Sequence, residues 1–493
     1  MMLADEIDQL RQALRGLAPS PSHDAVSPPT LQQIYTPPGH EAALDPERVL
    51  VIGGRGMGKS FWSAALVNNR TRQYIAKSYP RLQLDRCLVS LGFAGVDADT
   101  NGAPSKEELD DLIEKDGHDP QKVWRAVILS GICRHVAPDI DVPFKLRGAD
   151  GLVAWVAEDA ARVQLLLRSL DDRLVQERRR IVIVFDALDR LGSDWREIRE
   201  RTRALLQVAL AMRTYRAIKA KIFLRVDQAE DGGIASFPDA SKLMSSGARV
   251  DLTWEHRDLF GLLYTLLLND DVAQKAFVKI VEKATGTGVA AKDGVVNLPV
   301  QVKDSEEFQS QIFIALAGRY MGSSATKGRT YTWLHKHLAD AHGRVSPRTF
   351  LEAVRQASAY RGVTDSDLAI SPAGLRFGIQ SASEVRVAQL REEYSWIDDV
   401  LEPLADQQVP CPAEQLYERW LDAGTVGRIA GSQGKFLEPI EFSEDDTARP
   451  VMILRALLRI GIAERRSDGR INIPDIYRVA AKMLRKGGIA PKR

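Results

Sequence analysis

The sequence has little cysteine, no surplus of either charge and no long hydrophobic run. Its three cysteines, Cys87, Cys133 and Cys411, lie far apart among 493 residues. This spacing fits neither a disulfide framework nor a paired-cysteine metal site, so we expect a reducing, cytoplasmic environment. No stretch approaches the ~18 consecutive apolar residues of a membrane-spanning helix, and the N-terminus lacks the apolar segment of a signal peptide. We therefore expect neither secretion nor membrane association.

The net charge is +1, from 67 basic and 66 acidic residues. Because the two charges nearly cancel, the molecule as a whole has no electrostatic field that would attract nucleic acid. Such binding would require a local basic patch. With 44% hydrophobic and 27% charged residues, the composition is that of a globular protein and excludes disorder on the scale of a domain. The length predicts about three domains.

Changes in sequence pattern divide the chain into four segments. Residues 1–40 have the pattern of an amphipathic helix and a linker rich in proline and serine. In residues 41–255, short apolar runs alternate with helical patterns, which predicts a parallel sheet with helical crossovers. Residues 256–380 favour helices, and residues 381–493 favour helices followed by two short alternating runs joined by an Asp-Gly turn. The predicted class is α/β, with a parallel-sheet core, a helical second domain and a winged-helix-like third domain with a basic tail.

The core segment contains a polar stretch and five short apolar runs. A polar stretch at residues 97–119 interrupts the alternation and is a candidate surface insertion. The strands are predicted at residues 48–52, 87–91, 181–186, 220–225 and 248–252.

A glycine-rich segment, GGRGMGKS, follows the first predicted strand and precedes a helical stretch. It matches the complete Walker A pattern in the strand-loop-helix context that the pattern requires, and a glycine-rich turn of other function is the alternative. Glycines let backbone N–H groups wrap around phosphates, the lysine reaches the outer phosphates, and the serine hydroxyl ligates Mg²⁺. The predicted nucleotide-binding residues are Gly53, Gly54, Arg55, Gly56, Met57, Gly58, Lys59, Ser60 and Phe61.

Asp186 is the candidate for the Walker B acid. It ends the apolar run from Ile181 to Phe185, which predicts a buried parallel strand. An acid at the tip of such a strand can hold magnesium through water, whereas an aspartate that only caps the strand is the alternative. We predict Ser60 and Asp186 as the magnesium site, with Lys59 and Asp186 as catalytic residues.

Three segments together resemble P-loop ATPases of the AAA+ and STAND types: the Walker A loop, the element Asp-Ala-Leu-Asp-Arg at 186–190, and the strand ending at Arg225. The 186–190 element looks like the Walker B of KAP-type NTPases, although those commonly carry two adjacent acids before Leu-Asp-Arg. In these families the strand after Walker B lies between it and the P-loop strand, which implies that Arg225 faces the outer phosphate. A helix capped by Ser346 looks like the sensor-2 helix and implies that Arg348 lies over the nucleotide, with an exposed helix-start arginine as the alternative.

The layout also resembles origin-recognition ATPases and implies ATP with Mg²⁺ as cofactors. One position departs from the pattern, because Ala187 stands where many AAA+ members carry a glutamate that orients the attacking water. Water would then be positioned by Asp189, Asp227 or Glu230. We expect hydrolysis that is slow or stimulated by a partner.

Two functions of different class stay open. The first is an ATP-driven switch that self-associates or controls a separate protein effector, with an arginine of a neighbouring subunit, such as Arg190 or Arg329, completing the site. Bacterial antiphage-defence systems contain similar ATPases, and this link is one of analogy. The alternative is an ATP-controlled DNA-binding loader or regulator that acts through Arg465, Arg466 and Arg470 of the predicted wing. A small-molecule kinase is a third hypothesis, against which the large second and third domains count.

Overall fold

The computed structural model groups the residues it describes into two compact units. The sheet unit contains the described residues of 27–31 and 36–253, and the helical unit contains those of 3–18, 32–35 and 254–491, including helix α1 (Ala4–Gly16). The division into four domains stays a prediction. Among the described helices, none is both long and apolar enough to cross a bilayer. The described residues are 3–18, 27–95, 102–143, 145–245, 247–292, 294–361, 367–431, 439, 441–442, 449–486 and 488–491.

A five-stranded parallel sheet forms the centre of the sheet unit, which confirms the α/β class. The strands coincide with the five predicted runs, with small shifts at their ends. They are β1 (Leu50–Ile52), β2 (Cys87–Phe93), β3 (Arg180–Phe185), β4 (Ile218–Leu224) and β5 (Arg249–Asp251). All but the short β5 are largely buried, as their apolar, β-branched composition predicts.

The strand order is β2-β3-β4-β1-β5, so β4 lies between the P-loop strand and the strand that precedes Asp186. This is the order that the family resemblance implied. Ile52 pairs with Leu224, and Phe185 pairs with Ile222. Because parallel strands end at one edge of the sheet, the residues that follow β1, β3 and β4 are brought to the same edge.

Helices of the sheet unit begin where the sequence offers caps. The side chains of Asp119, Asp159 and Asp194 each accept a hydrogen bond from the first turn of the helix that follows. The helices are α2 (Glu41–Leu44), α3 (Lys59–Val67), α4 (Asn69–Ser78), α5 (Lys106–Asp110), α6 (Pro120–Val136), α7 (Leu152–Glu158), α8 (Ala160–Gln176), α9 (Trp195–Met212), α10 (Val226–Glu230), α11 (Gly232–Ala235) and α12 (Ser241–Met244).

Part of the predicted surface insertion belongs to the core. Helix α5 and the π-helical turn after it bury Leu109 and Leu112 completely. The acidic side chains beside them meet a buried cation, since Arg201 of α9 contacts Asp110 and Glu114 at 2.5 Å each. The described part of the insertion is therefore fixed to α9 by apolar burial and ion pairs.

The helical unit is built almost entirely from helices, as predicted. Gly378 of one long helix lies so close to its neighbour that an added Cβ would approach the Ala353 carbonyl oxygen to 2.2 Å. Its remaining helices are α13 (His256–Leu268), α14 (Gln274–Thr285), α15 (Val300–Asp304), α16 (Glu306–Ala317), α17 (Thr330–Leu338), α18 (Pro347–Ala359), α19 (Pro372–Glu393), α20 (Ile397–Leu401), α21 (Ala413–Asp422), α22 (Thr425–Ala430), α23 (Arg449–Arg459) and α24 (Asp475–Arg478).

Two short antiparallel ladders complete this unit. Strands β6 (Ala291–Lys292) and β7 (Val295–Val296) pair with each other, and the sequence pattern did not predict them. Strands β8 (Glu464–Arg465) and β9 (Ile471–Asn472) pair at the predicted Asp-Gly hairpin.

Candidate functional site

The loop from Gly53 to Ser60 joins β1 to α3 at the carboxyl edge of the sheet. Its start is anchored to the central strand, because the Gly53 N–H donates to the Leu224 carbonyl at 3.1 Å. Gly56 and Gly58 have φ of 75° and 97°, the left-handed region that side chains other than glycine rarely adopt. Helix α3 begins directly at Lys59. A loop of this kind on a helix N-terminus can hold a phosphate.

Lys59 is folded back over the loop that carries it. Its Nζ donates to the carbonyl oxygens of Gly53 at 2.7 Å and Gly54 at 3.1 Å. The ammonium group therefore lies within the curve of the loop, half-buried, rather than in solvent. Phosphate oxygens are stronger acceptors for an ammonium than these neutral carbonyls, so the side chain is placed to exchange partners.

Ser60 and Asp186 meet although they follow strands that are not adjacent. The Ser60 hydroxyl hydrogen-bonds to the Asp186 carboxylate. Asp186 is 5% exposed, and its backbone N–H donates to the Phe93 carbonyl at 2.9 Å. Burial raises the pKa of the Asp186 carboxyl above its ordinary range, while Ser60 and the nearby Lys59 ammonium act to lower it. A hydroxyl and a carboxylate in contact are two oxygen ligands of the kind that Mg²⁺ takes.

The chain turns sharply after Asp186. Ala187 has φ of 55°, and a short 3₁₀ turn from Leu188 to Arg190 follows. A non-glycine residue in this region carries backbone strain, which tends to occur at functional sites. The turn presents Asp189 to the Walker A loop, where its Oδ2 lies 3.4 Å from Arg55 Nη2.

Arg225 joins this group from the end of β4. Its Nη1 lies 3.3 Å from Asp189 Oδ2, while Nε and Nη2 contact the two oxygens of Asp227 at 3.0 and 2.6 Å. Arg225 and Asp227 are 7% and 4% exposed, so this pair is shielded from water. The structure thus brings together Arg55, Asp189 and Arg225 at the edge where the sequence predicts the outer phosphates.

The three candidates for orienting water differ in how much of each carboxylate is available. Both oxygens of Asp227 are engaged by Arg225. Glu230 is exposed at the end of α10. Asp189 is half-buried and makes both of its arginine contacts through Oδ2, and within the described part of the chain Oδ1 has no hydrogen-bond partner. Of the three, Asp189 is the best placed to accept a hydrogen bond from water.

A buried histidine supports the back of α3, a feature that the sequence analysis missed. The Trp62 indole N–H donates to His40 Nδ1 at 3.0 Å, so the ring proton is on Nε2, which donates to the Thr253 carbonyl at 3.0 Å. Burial lowers the pKa of His40 to about 4, which keeps the ring neutral. His40 lies 22 positions from Trp62 and 213 positions from Thr253 in the chain, and no local sequence pattern predicts contacts over such separations.

Other predicted residues lie outside this cluster or at its margin. Phe61 is half-buried, with its ring 5.2 Å from that of Trp62. Ser346 caps α18 through the Thr349 N–H, as predicted, and Pro347 takes the first helical position. Arg348 follows on this helix in the helical unit, and its place over the nucleotide stays a prediction.

The C-terminal basic residues lie on the hairpin of β8 and β9. Arg465 and Arg470 are exposed and Arg466 is half-buried. The Arg470 guanidinium contacts the Asp468 carboxylate at 2.6 Å, and Arg465 Nη1 donates to the Gly469 carbonyl at 3.3 Å. The predicted tail residues Lys492 and Arg493 lie outside the described residues.

No protein family matches the chain, and no curated protein does. Two of the solved structures that share some similarity with it are from Aeropyrum pernix. The Aeropyrum pernix ORC2 protein, in ADPNP–ADP complexes, is 13% identical, with 87% of this chain and 84% of that chain covered and a TM-score of 0.29. The Aeropyrum pernix ORC1 protein, in complex with DNA, is 13% identical, with 91% and 92% covered and a TM-score of 0.33.

Proposed function

We propose that this chain binds ATP with Mg²⁺ and acts as a slowly hydrolysing molecular switch. The observation that carries the proposal is the contact between Ser60 and the buried Asp186 beside Lys59. These residues come from two strands with a third between them, so chance similarity of a glycine-rich turn to Walker A does not account for the arrangement. The residues offer an ammonium group for phosphate, and a hydroxyl and a carboxylate for Mg²⁺.

Each residue has a defined task in this proposal. The backbone N–H groups of the loop and the N-terminus of α3 hold the phosphates, and Lys59 exchanges its carbonyl partners for phosphate oxygens. Ser60 and Asp186 hold magnesium, which when bound would neutralise charge on the outer phosphates. Arg225 and Asp189, which contact each other, would lie beside the outer phosphates. Asp189, rather than a residue directly after Asp186, orients the water.

Slow turnover follows from this arrangement. Ala187 has no group that can orient water, and Asp189 is held by two arginines. Arg55 and Arg225 would exchange Asp189 for phosphate, which couples nucleotide binding to the position of the turn at Leu188–Arg190. Coupling of this kind suits a switch that self-associates or controls a protein effector. The wider setting in antiphage defence rests on analogy with the ATPases of such systems.

The proposal is tested by ATP titration calorimetry on matched variants. Lys59→Ala should weaken MgATP binding by about a hundredfold, because a charge-assisted contact to phosphate is lost. Asp186→Asn should retain metal-free ATP binding but lose the gain in affinity that Mg²⁺ gives. Lys242→Ala removes an exposed lysine of the same unit and should bind as the wild type does. Unchanged MgATP binding by Lys59→Ala would refute the proposal.

A second candidate function is DNA binding through the C-terminal hairpin. Burial raises the pKa of Tyr417 on α21, whereas Arg465 of β8 and Arg455 of α23 act to lower it and Glu414 acts to raise it, so a helix and the hairpin each place an arginine near this ring. Arg455 and Arg465 are exposed. Such a surface can contact two phosphates of a duplex backbone.

Salt-dependent binding to duplex DNA tests this candidate. Replacing Arg465, Arg466 and Arg470 by alanine should weaken binding and reduce the slope of log affinity against log salt by up to about 3, because roughly one counterion is released for each phosphate contact. Replacing Arg173, Arg178 and Arg179, exposed on the sheet unit, makes the same change in net charge. Equal salt slopes for the two triple variants, or no binding at low salt, would exclude the hairpin as a DNA site.

A further inference from the structure

A basic cavity lies within the helical unit, apart from the Walker A loop. Its volume is about 270 Å³. Three arginines line it: Arg11 and Arg15 from α1, and Arg361 just beyond α18. Ser371, the cap of the 22-residue helix α19, lines it as well. Two chain segments more than 340 positions apart are thus brought together around one concave, positively charged space.

The arginines of α1 are oriented by the backbone of the segments that they meet. Arg11 Nη2 donates to the Leu368 carbonyl at 2.8 Å, and Arg15 Nε donates to the Ser358 carbonyl at 3.0 Å. Neutral carbonyls fix the direction of a guanidinium without cancelling its charge. Arg11 also contacts Asp8 at 3.1 Å, and that aspartate is 73% exposed. Within the described ranges, neither Arg15 nor Arg361 forms an ion pair with a carboxylate.

The end of α19 adds to the positive potential. The Ser371 side chain accepts a hydrogen bond from the Gly374 N–H at 3.0 Å, which leaves its hydroxyl hydrogen to donate elsewhere. The N-terminus of a long helix also favours an anion through its dipole. Arginines, a hydroxyl donor and a helix N-terminus around one cavity share a single preference, which is for oxyanions.

We propose that this cavity binds a small anion with several phosphoryl charges, of the pyrophosphate class. Its volume lies just below the range of about 300 to 1,000 Å³ that small-molecule sites occupy, which favours a compact ligand over a whole nucleotide. Three guanidinium groups match the clustered charges of a diphosphate, and Arg15 and Arg361, which form no ion pair among the described residues, have the most N–H groups to offer its oxygens. A bound diphosphate would link α1 to the junction of α18 and α19.

Hydrogen exchange measured with and without inorganic pyrophosphate tests the site by location. In the wild type, peptides within 351–361 and 367–376 should exchange more slowly when pyrophosphate is present. The variant Arg15→Gln/Arg361→Gln should lose this protection and bind pyrophosphate at this site about tenfold more weakly, because two charge-assisted contacts are lost. Peptides that span 53–67 report separately on the Walker A loop, so failure at either site is distinguishable from failure at the other.

Matched controls decide the outcome. Arg173→Gln/Arg179→Gln makes the same charge change on exposed arginines of the sheet unit and should keep the protection at 351–376. Arg15→Lys/Arg361→Lys keeps the charge but not the two-pronged geometry, and should bind with affinity between the wild type and the glutamine variant. Equal protection of the wild type and the glutamine variant, or protection by sulfate equal to that by pyrophosphate, would overturn the proposal.

Discussion

Replacement of Asp189 tests which residue orients water for ATP hydrolysis. Its Oδ2 is shared by Arg55 and Arg225, and its Oδ1 faces no partner among the described residues. We expect Asp189→Asn to lower the rate of ATP hydrolysis by about a hundredfold, the lower end of what a positioned acid or base contributes. MgATP affinity should change by less than about threefold, since phosphate replaces the carboxylate as partner of the arginines. Single-turnover hydrolysis with a binding titration measures both quantities.

Glu230→Gln is the control for Asp189→Asn. It removes an exposed carboxylate that follows the same sheet edge but lies at the end of α10. Its hydrolysis rate should equal that of the wild type. Neither replacement should lower the free energy of unfolding by more than about 1 kcal/mol, because exposed or half-exposed ion pairs contribute little. If Asp189→Asn turns over normally, the acid that orients water is another one.

The residues of the candidate site were predictable to different degrees. Lys59, Ser60 and Asp186 follow from local patterns, because a glycine loop and an acid at the tip of an apolar strand are each visible within a few positions. The contact of Asp189 with Arg55 spans 134 positions, and it depends on the strand order and on the left-handed turn at Ala187. Alanine gives no sequence signal for such a turn, so this part of the site needed the structure.

At the scale of elements, a buried lysine fixes the segment that leads into the P-loop strand. Lys221 of β4 is completely buried, and its Nζ donates to the carbonyls of Ala43 at 2.9 Å, Asp45 at 2.7 Å and Arg48 at 2.7 Å. Three donors meet three acceptors, which satisfies the whole ammonium group. Burial nevertheless lowers the pKa of Lys221 to about 7.

Lys221→Met should lower the free energy of unfolding of the sheet unit by about 3 kcal/mol or more, because one buried and two partly buried carbonyls lose their donor. Lys219→Met is the matched control on the same strand and face. Lys219 pairs with Glu47, which is 50% exposed, so its loss should cost about 1 kcal/mol or less. Urea unfolding followed by circular dichroism compares the two. Equal losses would show that the carbonyl contacts of Lys221 do not stabilise the fold.

The positions of the strands were largely predictable where both faces of a strand are buried. Strands β1, β3 and β4 are short, β-branched runs covered on both sides, and their positions follow from composition alone. Helix α5 was not predicted as part of the core, since only Leu109, Leu112 and Ile113 interrupt a strongly acidic stretch. Helix α5 is held by Arg201 of α9, which contacts Asp110 across 91 positions of the chain. A buried arginine in a helix pattern does not indicate which acids it will meet.

At the scale of the whole molecule, one buried histidine, His40, and two half-buried ones, His256 and His335, make stability depend on pH. Burial lowers the pKa of His40 in the sheet unit, and of His256 and His335 in the helical unit, to about 4. The rings of His256 and His335 lie 4.5 Å apart, so protonation of one disfavours protonation of the other. Raised pKa values of Asp186 and Asp258 act in the opposite direction, because the folded protein keeps those protons to higher pH.

The lowered pKa of His40 makes the sheet unit lose stability as the pH falls. The unfolded chain takes up a proton on this ring as the pH falls below 6.5, whereas the folded chain does so only near 4. Stability from neutral His40 is therefore fully present above pH 6.5 and is lost as the pH falls towards 4, up to about 3 kcal/mol. His40→Gln has no such titration, so its sheet unit should be less stable than the wild type at pH 7.5 and lose less stability between pH 7.5 and 5.

Urea unfolding at each pH, followed by a short pulse of hydrogen exchange at one common pH, measures the two units separately. Peptides from α3 report on the sheet unit, and peptides from α13 report on the helical unit. The pH dependence of unfolding at α3 should be smaller in His40→Gln than in the wild type, whereas that at α13 should be the same in both, because His256 and His335 are unchanged. Parallel pH profiles at α3 would mean that His40 already carries its proton in the folded protein, and the hydrogen bond from Trp62 to Nδ1 could not then exist as described.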